Sequence, residues 1–464
     1  MIAKVAALAI LLSVAGSLTA LYMLQSRKLG ALQRQAKFRA CLISSSISLT
    51  IVLGISQLWA APRWLEAPPG GGAAASLAHG IGQLAQVGIL ASAALAIASR
   101  LSFRPTGHPQ PARYFAIWVP YLIAWCMAAA FGAVAGVSRE AIIAILGLLP
   151  TAILVPDANG TRSVQRTVVL WLRAIVTFSL IVSLFSYAWS YSPWQVWPGG
   201  WRGTSDRLSG LTPQPNVLGW IAVLSLVVET TQVRVSRGHA WLVFALISLA
   251  TLLLTGSRSA LISGLLALAV YELTRVGGSR SIFSGLRLFL VTCGGVVAIF
   301  SFLTRGDSAS FNGRNLTWQQ AWEAFVANPV LGSGPGAYAY DLTTVSVPYA
   351  HNQVLQTLAE TGAVGGVALL VHVLSLISSA TRARVSNPAA MPLVTAWLSI
   401  GLTENLLRFT AAEFTLSLVL FAGALSAALF GVIPTIDAVP EVIRSESESG
   451  LGSTSAEREA RYGM

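Results

Sequence analysis

Runs of apolar residues follow one another along almost the whole chain, and short stretches with glycine, proline and charged residues separate them. A helix that spans a lipid bilayer needs about 20 mostly apolar residues, and the turns between such helices carry the polar ones. The pattern therefore predicts an all-α protein, a polytopic transmembrane helix bundle with about 12 to 13 spans. The predicted spans are residues 2–24, 40–60, 76–99, 114–137, 141–155, 167–190, 216–232, 240–255, 258–274, 282–303, 362–380, 391–410 and 413–433.

Composition excludes a soluble globular protein. Of the 464 residues, 54% are hydrophobic and 10% are charged, whereas ordinary soluble domains have about 45–50% apolar and about 25% charged residues. The net charge of +12 does not indicate nucleic acid, because the arginines lie between apolar runs and form no basic stripe with interleaved aromatic residues. No histidine, cysteine or aspartate pair has metal-ligand spacing, so we expect no metal and no cofactor.

Lysine and arginine gather in alternate loops, and this bias orients the predicted bundle. The loop 25–39 is rich in both residues, which marks it as cytoplasmic and places the longer loops 61–75, 191–215 and 304–361 outside. The run 2–24 is longer than the apolar core of a signal peptide, about 7–15 residues, and is interpreted as a span. We expect a multi-pass protein of the cytoplasmic (inner) membrane with its polar features facing outward.

The chain divides into four predicted regions. These are N-terminal transmembrane helices (1–190), a region with the candidate chemistry (191–380), C-terminal transmembrane helices (381–434) and a disordered cytoplasmic tail (435–464). The tail is predicted from its polar, low-complexity composition.

The external loop 304–361 is too long for a simple connection, since loops beyond about 15 residues are usually functional or disordered. Apolar residues at helical spacing predict a first helix that ends at Asn328-Pro329. A flexible turn at 332–336 follows, and a second amphipathic helix begins at His351-Asn352 and runs from Gln353 to Thr361. We expect two short amphipathic helices on the outer membrane surface, capping the bundle.

His351 is the first candidate for chemistry. The partial positive charge at a helix start disfavours imidazolium, so we expect a neutral ring that can act as a base, beside backbone N–H groups that can hold an anion. The alternative is that His351 only caps the helix or contacts lipid headgroups.

Three arginines on the same outer side run against the positive-inside trend, namely Arg207, Arg258 and Arg314. Each one alone has an ordinary alternative, as a solvated loop charge or a snorkelling side chain. Together with His351 they suit a phosphate-rich substrate, because arginine forks bind phosphate and a base with a pKa near 6.5 can deprotonate a hydroxyl. A diphosphate leaving group and a hydroxyl nucleophile fit both features.

Other polar residues in the predicted spans have structural interpretations. Arg173 is expected to snorkel toward the cytoplasmic face. Glu404 and Arg408 are four residues apart on one predicted span and are expected to pair along that helix. His79 and His372 are expected to be hydrogen-bonded structural residues.

At the candidate residues, the sequence resembles the O-antigen ligase and O-antigen polymerase family, membrane glycosyltransferases of the bacterial envelope. His351-Asn352, followed by Gly362 and Gly365, is similar to the family's histidine motif in its large external loop. The turn from Arg207 to Asn216, the Gly256-Ser257-Arg258 hairpin and the segment 314–336 are also similar to its pattern. The similarity covers about residues 190–380, and the family's usual twelve spans are one fewer than the thirteen counted here.

The resemblance implies a role for each site residue. Arg207 and Arg258 would bind the diphosphate of an undecaprenyl-linked glycan, Arg314 would assist, and His351 would activate the acceptor hydroxyl of a glycan or lipid-linked acceptor. Supporting positions in the matched motifs are Asn352, Asn216, Gly362 and Gly365. The implied reaction is an inverting, metal-independent transfer in lipopolysaccharide or exopolysaccharide synthesis.

Two other functions stay open at this point. A transporter or flippase of the same lipid-linked glycan would explain many spans and outward arginines, although the chain has no inverted repeat. A non-catalytic envelope scaffold would leave the histidine and arginines unexplained. Within the favoured class, ligase and polymerase share these motifs, so the sequence does not separate them.

Overall fold

The computed structural model describes residues 44–45, 47–48, 51, 111–131, 158–185, 191–192, 207–212, 215–231, 240–274, 314–335, 350–384, 387–406, 420, 422, 424–425 and 428–429. These residues are mainly helical. The helices are α1 (Pro111–Phe131), α2 (Ala158–Phe185), α3 (Pro215–Thr231), α4 (Ala240–Thr255), α5 (Arg258–Thr274), α6 (Arg314–Ala327), α7 (Gln353–Ala383) and α8 (Ala390–Gly401). Two short strands, β1 (Tyr191–Ser192) and β2 (Arg207–Leu208), pair antiparallel.

Several predicted spans coincide with these helices. The ranges 216–232, 240–255 and 258–274 agree with α3, α4 and α5 to within a residue. The range 391–410 is wrong at its end, because α8 stops at Gly401 and the next residues form a turn. The predicted spans 2–24, 76–99, 141–155 and 282–303, and the tail 435–464, lie outside the described residues.

Length and composition identify two of the described helices as able to cross a membrane, Val164–Leu184 and Gln353–Ala383. Shorter apolar helices accompany them, among them α3, α4 and α8. These helices and the overall apolar composition indicate a membrane protein.

Helix α3 is the centre of the described core. It is apolar on all sides, begins with a proline where the missing N–H is least costly, and buries every residue except the partly exposed Asn216. Its Gly219 lies against Ser257 and Ala260 at the α4–α5 hairpin, where an added Cβ would come within 2.8 Å and 3.0 Å of their Cβ atoms. Small residues let helices approach this closely. The hairpin is therefore held directly beside the start of α3.

An ion pair joins α2 to α3. Arg173 donates from Nε and Nη2 to the two carboxylate oxygens of Glu229, at 2.6 Å and 2.8 Å, and its guanidinium lies 4.4 Å from the ring centre of Phe244. Glu229 is buried. The expectation that Arg173 merely snorkels is wrong, because the guanidinium has a bidentate partner on the neighbouring helix; sequence spacing carries no sign of a pair that is 56 residues apart.

Replacing Arg173 with alanine is expected to destabilise the protein by about 3–5 kcal/mol, because the buried Glu229 carboxylate loses its partner. The measurement is denaturant unfolding of the detergent-solubilised protein. Arg166→Ala, an exposed arginine on the same helix, is the control and should stay near the wild type. If Arg173→Ala and Arg166→Ala unfold at the same denaturant concentration, the ion pair contributes nothing.

A kink divides α7 at Gly362, whose φ of 63° lies in the left-handed region that favours glycine. The backbone of the segment after α6 forms hydrogen bonds with α7 on both sides of this kink. Ser333 N and Gly334 N donate to the carbonyls of Ala359 and Glu360, at 2.9 Å and 3.0 Å. From the other side, the amides of residues 363 and 364 donate to the carbonyls of residues 329 and 330. The described part of the predicted flexible turn is therefore fixed to α7.

The second predicted surface helix, 353–361, is the first part of α7 and continues across the kink. Its polar residues Gln353, Gln356, Thr357, Glu360 and Thr361 are buried. A helix on a membrane surface would expose its polar face to water. The interpretation of this segment as a separate surface helix is wrong, whereas the predicted first helix, ending before Asn328-Pro329, is confirmed by α6.

Candidate active site

His351 immediately precedes the N-cap of α7. Its backbone has a φ of 48°, which is uncommon for a residue other than glycine. Asn352 is the cap, since its Oδ1 accepts hydrogen bonds from the amides of Val354 and Leu355, at 2.9 Å and 3.1 Å. The alternative that His351 caps the helix is therefore wrong. The cap also occupies two of the amides that were expected to hold an anion.

A buried carboxylate holds the His351 ring. His351 Nδ1 lies 2.8 Å from Glu404 Oε2, and the side chains are 13% and 1% exposed. A carboxylate accepts hydrogen bonds, so Nδ1 carries a proton and donates to Glu404, which makes Nε2 the nitrogen that can accept a proton when the ring acts as a base. The ring is thus oriented by a partner and still reaches the surface.

Arg207 is placed by β2 and by the turn that follows it. In this turn, Thr212 N donates to Ser209 O at 2.9 Å and Leu211 N donates to Ser179 Oγ of α2 at 3.1 Å. Gly210, with a φ of 53°, packs against the same Ser179. These contacts fix the strand end from which the Arg207 side chain extends.

The Arg207 guanidinium lies between the α4–α5 hairpin and the first turn of α3. Its Nε donates to Thr255 O at 2.7 Å, and its Nη2 donates to Asn216 Oδ1 at 2.8 Å. Gly256 borders the side chain, where an added Cβ would lie 3.4 Å from Nε. Arg207 is only partly buried, so a fixed cation faces the surface at this point.

One hydrogen-bonded line joins Arg207 to His351. Asn216 accepts from Arg207 through Oδ1 and donates from Nδ2 to Glu404 Oε1 at 3.0 Å, and Glu404 binds His351 through its other oxygen. Donors and acceptors match at every step. The structure therefore brings together Arg207, Asn216 and His351, which the sequence predicted separately.

The other two predicted arginines, Arg258 and Arg314, are the first residues of helices. Arg258 is exposed and begins α5, two residues after the Gly256 that borders Arg207, so it lies at the same hairpin. Arg314 begins α6, and its side chain is outside the described residues.

A second polar group lies behind the histidine, in the first turns of α7. Gln353 Nε2 donates to Tyr121 Oη and Thr357 Oγ1, at 3.3 Å and 3.1 Å. Gln356 Oε1 accepts from Asn405 Nδ2 at 3.2 Å. These side chains are buried, and they fix the start of α7 against α1 and against the turn after α8.

The two predicted supporting glycines, Gly362 and Gly365, lie within α7. A Cβ on Gly362 would fall on the backbone of Val330, and a Cβ on Gly365 would overlap the Thr361 side chain. Both positions therefore require the absence of a side chain. Gly362 allows α7 to dock on the segment after α6, and Gly365 leaves room for the Thr361 side chain of α7 itself.

Glu404 is the site residue that sequence reasoning missed. The single helix expected to carry Glu404 and Arg408 is wrong, because α8 ends at Gly401. The two carboxylate oxygens of Glu404 bind Asn216 and His351. Arg408, and with it the expected pairing, lies outside the described residues. A carboxylate in an apolar segment is itself a signal of function.

The structural interpretation of His372 is confirmed. The ring is buried, its Nδ1 lies 2.7 Å from Ile117 O, and the rings of Trp118 and Trp397 pack around it. His79 lies outside the described residues.

The hydrogen-bonded line connects a candidate base, His351, to a cation, Arg207. A histidine whose Nδ1 is held by a carboxylate can accept a proton at Nε2, and the carboxylate stabilises the imidazolium that forms. An arginine fixed by backbone and amide oxygens is suited to a phosphate or diphosphate group. Within the described part of the chain no group of three or more histidine, cysteine, aspartate and glutamate side chains is placed to hold a metal ion, and metal independence stays a prediction.

Comparison with known proteins finds a family that is similar to the segment carrying His351. Residues 243–370 match the model of a family described as O-antigen ligase. No curated protein matches the chain. The matched segment contains α5, α6, His351 and the kinked start of α7, whereas Arg207, Asn216 and Glu404 lie outside it. Residues 243–370 are therefore similar to the O-antigen ligase family, and the predicted resemblance to the O-antigen ligase and polymerase family is confirmed over this segment.

Proposed function

We propose that the protein is a membrane glycosyltransferase that moves a glycan from an undecaprenyl-diphosphate carrier to an acceptor hydroxyl. The hydrogen-bonded line from Arg207 to His351 is the observation that carries this proposal, because it places a phosphate-binding cation and a base on one network. The O-antigen ligase domain over residues 243–370 supports an enzyme of the ligase or polymerase type with lipid-linked glycan substrates.

His351 is the proposed general base. Its Nε2 takes the proton of the acceptor hydroxyl as the oxygen attacks the anomeric carbon, and a positioned base of this kind contributes about 10²–10⁴-fold to the rate. The new bond joins the acceptor oxygen to the anomeric carbon, and the bond from that carbon to the diphosphate oxygen breaks. The electron pair of that bond leaves on the diphosphate. A single displacement inverts the anomeric configuration and needs no metal.

The arginines stabilise the leaving group. Negative charge grows on the diphosphate as its bond to the sugar breaks, and fixed positive groups at that point lower the barrier. Arg207 is held in place by Thr255 O and Asn216, and Arg258 lies exposed at the same hairpin. Arg314 is proposed to assist from the start of α6.

The proposed location is the outer face of the cytoplasmic membrane, with many spans and the site facing outward. The cytoplasmic bias of lysine and arginine in alternate loops supports this orientation. In this proposal residues 1–190 and 381–434 are transmembrane helices, and 191–380 is the catalytic region.

Deletion of the gene tests the function through the length distribution of the cell's surface glycan. Loss of all attached glycan is expected of a ligase, and loss of long chains with single repeat units still attached is expected of a polymerase. Normal glycan would contradict both. A stop in translocation of the lipid-linked glycan, with transfer continuing on glycan supplied outside, would instead favour a transporter.

A further inference from the structure

Both carboxylate oxygens of Glu404 take part in the hydrogen-bonded line that joins His351, the proposed base, to Arg207, the proposed diphosphate-binding residue. Oε2 is bound to His351 Nδ1 at 2.8 Å, and Oε1 accepts from Asn216 Nδ2 at 3.0 Å. The side chain is 1% exposed. A buried carboxylate with two such donors is fixed in orientation as well as in position.

The turn that carries Glu404 is tied to the start of α7 on both sides of this residue. Asn352 Nδ2 donates to Leu402 O at 3.1 Å, and Asn405 Nδ2 donates to Gln356 Oε1 at 3.2 Å. The turn itself is closed by Thr403 N, which donates to Ile400 O at 3.0 Å. Because His351 directly precedes Asn352, the N-cap of α7, these hydrogen bonds hold the carboxylate and the ring in a fixed relative position.

Asn216 extends this alignment to the arginine. Its amide has one donor group and one acceptor atom, and it gives the donor to Glu404 and the acceptor to Arg207. Turning the amide over would place a donor against Arg207 and an acceptor against the carboxylate, and both bonds would be lost. His351, the proposed base, and Arg207, the proposed diphosphate-binding residue, are thus aligned through Glu404 and Asn216.

We infer that Glu404 is a positioning residue for the transfer reaction, which fixes His351 with Nε2 as the proton acceptor and stabilises the imidazolium during the transfer. This inference rests on the proposed function. It adds a residue that lies beyond the segment matched to the O-antigen ligase family. The partner of a reactive histidine is known to set which ring nitrogen carries the proton.

The test is Glu404→Gln in the purified full-length protein, assayed with lipid-diphosphate-linked glycan and acceptor. The amide keeps the size of the side chain but holds the wrong tautomer, so kcat is expected to fall by up to about 10⁴-fold, while donor KM stays within about 3-fold of the wild type. Glu404→Asp should restore part of kcat. Glu323→Gln, an exposed carboxylate on α6, is the matched control and should react at the wild-type rate.

A double variant separates positioning of His351 from an independent role of the carboxylate. If Glu404 acts through the ring, His351→Gln/Glu404→Gln is no slower than His351→Gln alone. Wild-type kcat in Glu404→Gln, or losses that multiply in the double variant, would overturn the inference. Loss of the thermal unfolding transition in both the Gln and Asp variants would also overturn it, because Glu404 would then be structural. An inactive wild type would contradict the proposed function and not this inference.

Discussion

His351→Gln is expected to lower the rate of glycan transfer by about 10²–10⁴-fold while the protein still binds its lipid-linked donor. The physical reason is that glutamine can accept a hydrogen bond from the hydroxyl but cannot take its proton at neutral pH, so the base contribution is lost. The measurement is release of lipid diphosphate by purified protein under single-turnover conditions, together with the donor dissociation constant.

Donor binding and the thermal unfolding midpoint are the internal controls for this variant. His351 is partly exposed and does not cap α7, so its replacement should leave both quantities near those of the wild type. Release of lipid diphosphate at the wild-type rate would remove His351 from the mechanism. A variant that has lost donor binding would place His351 in substrate binding instead.

Arg207→Ala is expected to lower kcat/KM for the donor by about 10³-fold. In the proposed mechanism the arginine binds the diphosphate both before and during bond breaking, and removing one fixed donor at such a point costs about 10²–10³-fold in kcat alone. Arg207→Lys should recover only part of this loss, because a single ammonium cannot bind Thr255 O and Asn216 and also present a planar fork to phosphate. The measurement is a full donor titration of both variants.

Arg382→Ala is the matched control for the Arg207 variants. Arg382 is exposed in the last turn of α7, at the opposite end of that helix from His351. Its replacement removes one positive charge without touching the hydrogen-bonded line, so the donor titration should match that of the wild type. Equal losses in Arg207→Ala and Arg382→Ala would mean that only the overall charge matters.

Local features of the fold were predictable from the sequence. The helix 314–327 and its end at Asn328-Pro329 follow from apolar spacing and a helix-breaking pair. The start of α7 was predicted at His351-Asn352, although the structure shows that Asn352 and not His351 is the cap. The hairpin at Gly256 follows from a glycine between two apolar runs. These features depend on neighbours within a few residues, and such neighbours leave a visible period or a boundary signal.

Contacts between distant residues were not predictable in the same way. His351 and Glu404 are 53 residues apart, and Asn216 and Glu404 are 188 apart, so no period in the sequence joins them. Local spacing instead suggested a pairing of Glu404 with Arg408. The docking of residues 329–334 into the kink of α7 is a backbone contact, which side-chain patterns do not encode. The sequence therefore predicted the base, the arginines and Asn216, but not Glu404 or the long-range hydrogen bonds that align them.

The most direct measurement of the central claim follows donor and acceptor together in one reaction of the purified wild-type protein. If the line from Arg207 to His351 is a transferase site, each lipid diphosphate released is matched by one new glycosidic bond to the acceptor, and the anomeric configuration of the transferred sugar is inverted. Movement of intact lipid-linked glycan across the membrane, with neither diphosphate release nor a new bond, would contradict the account.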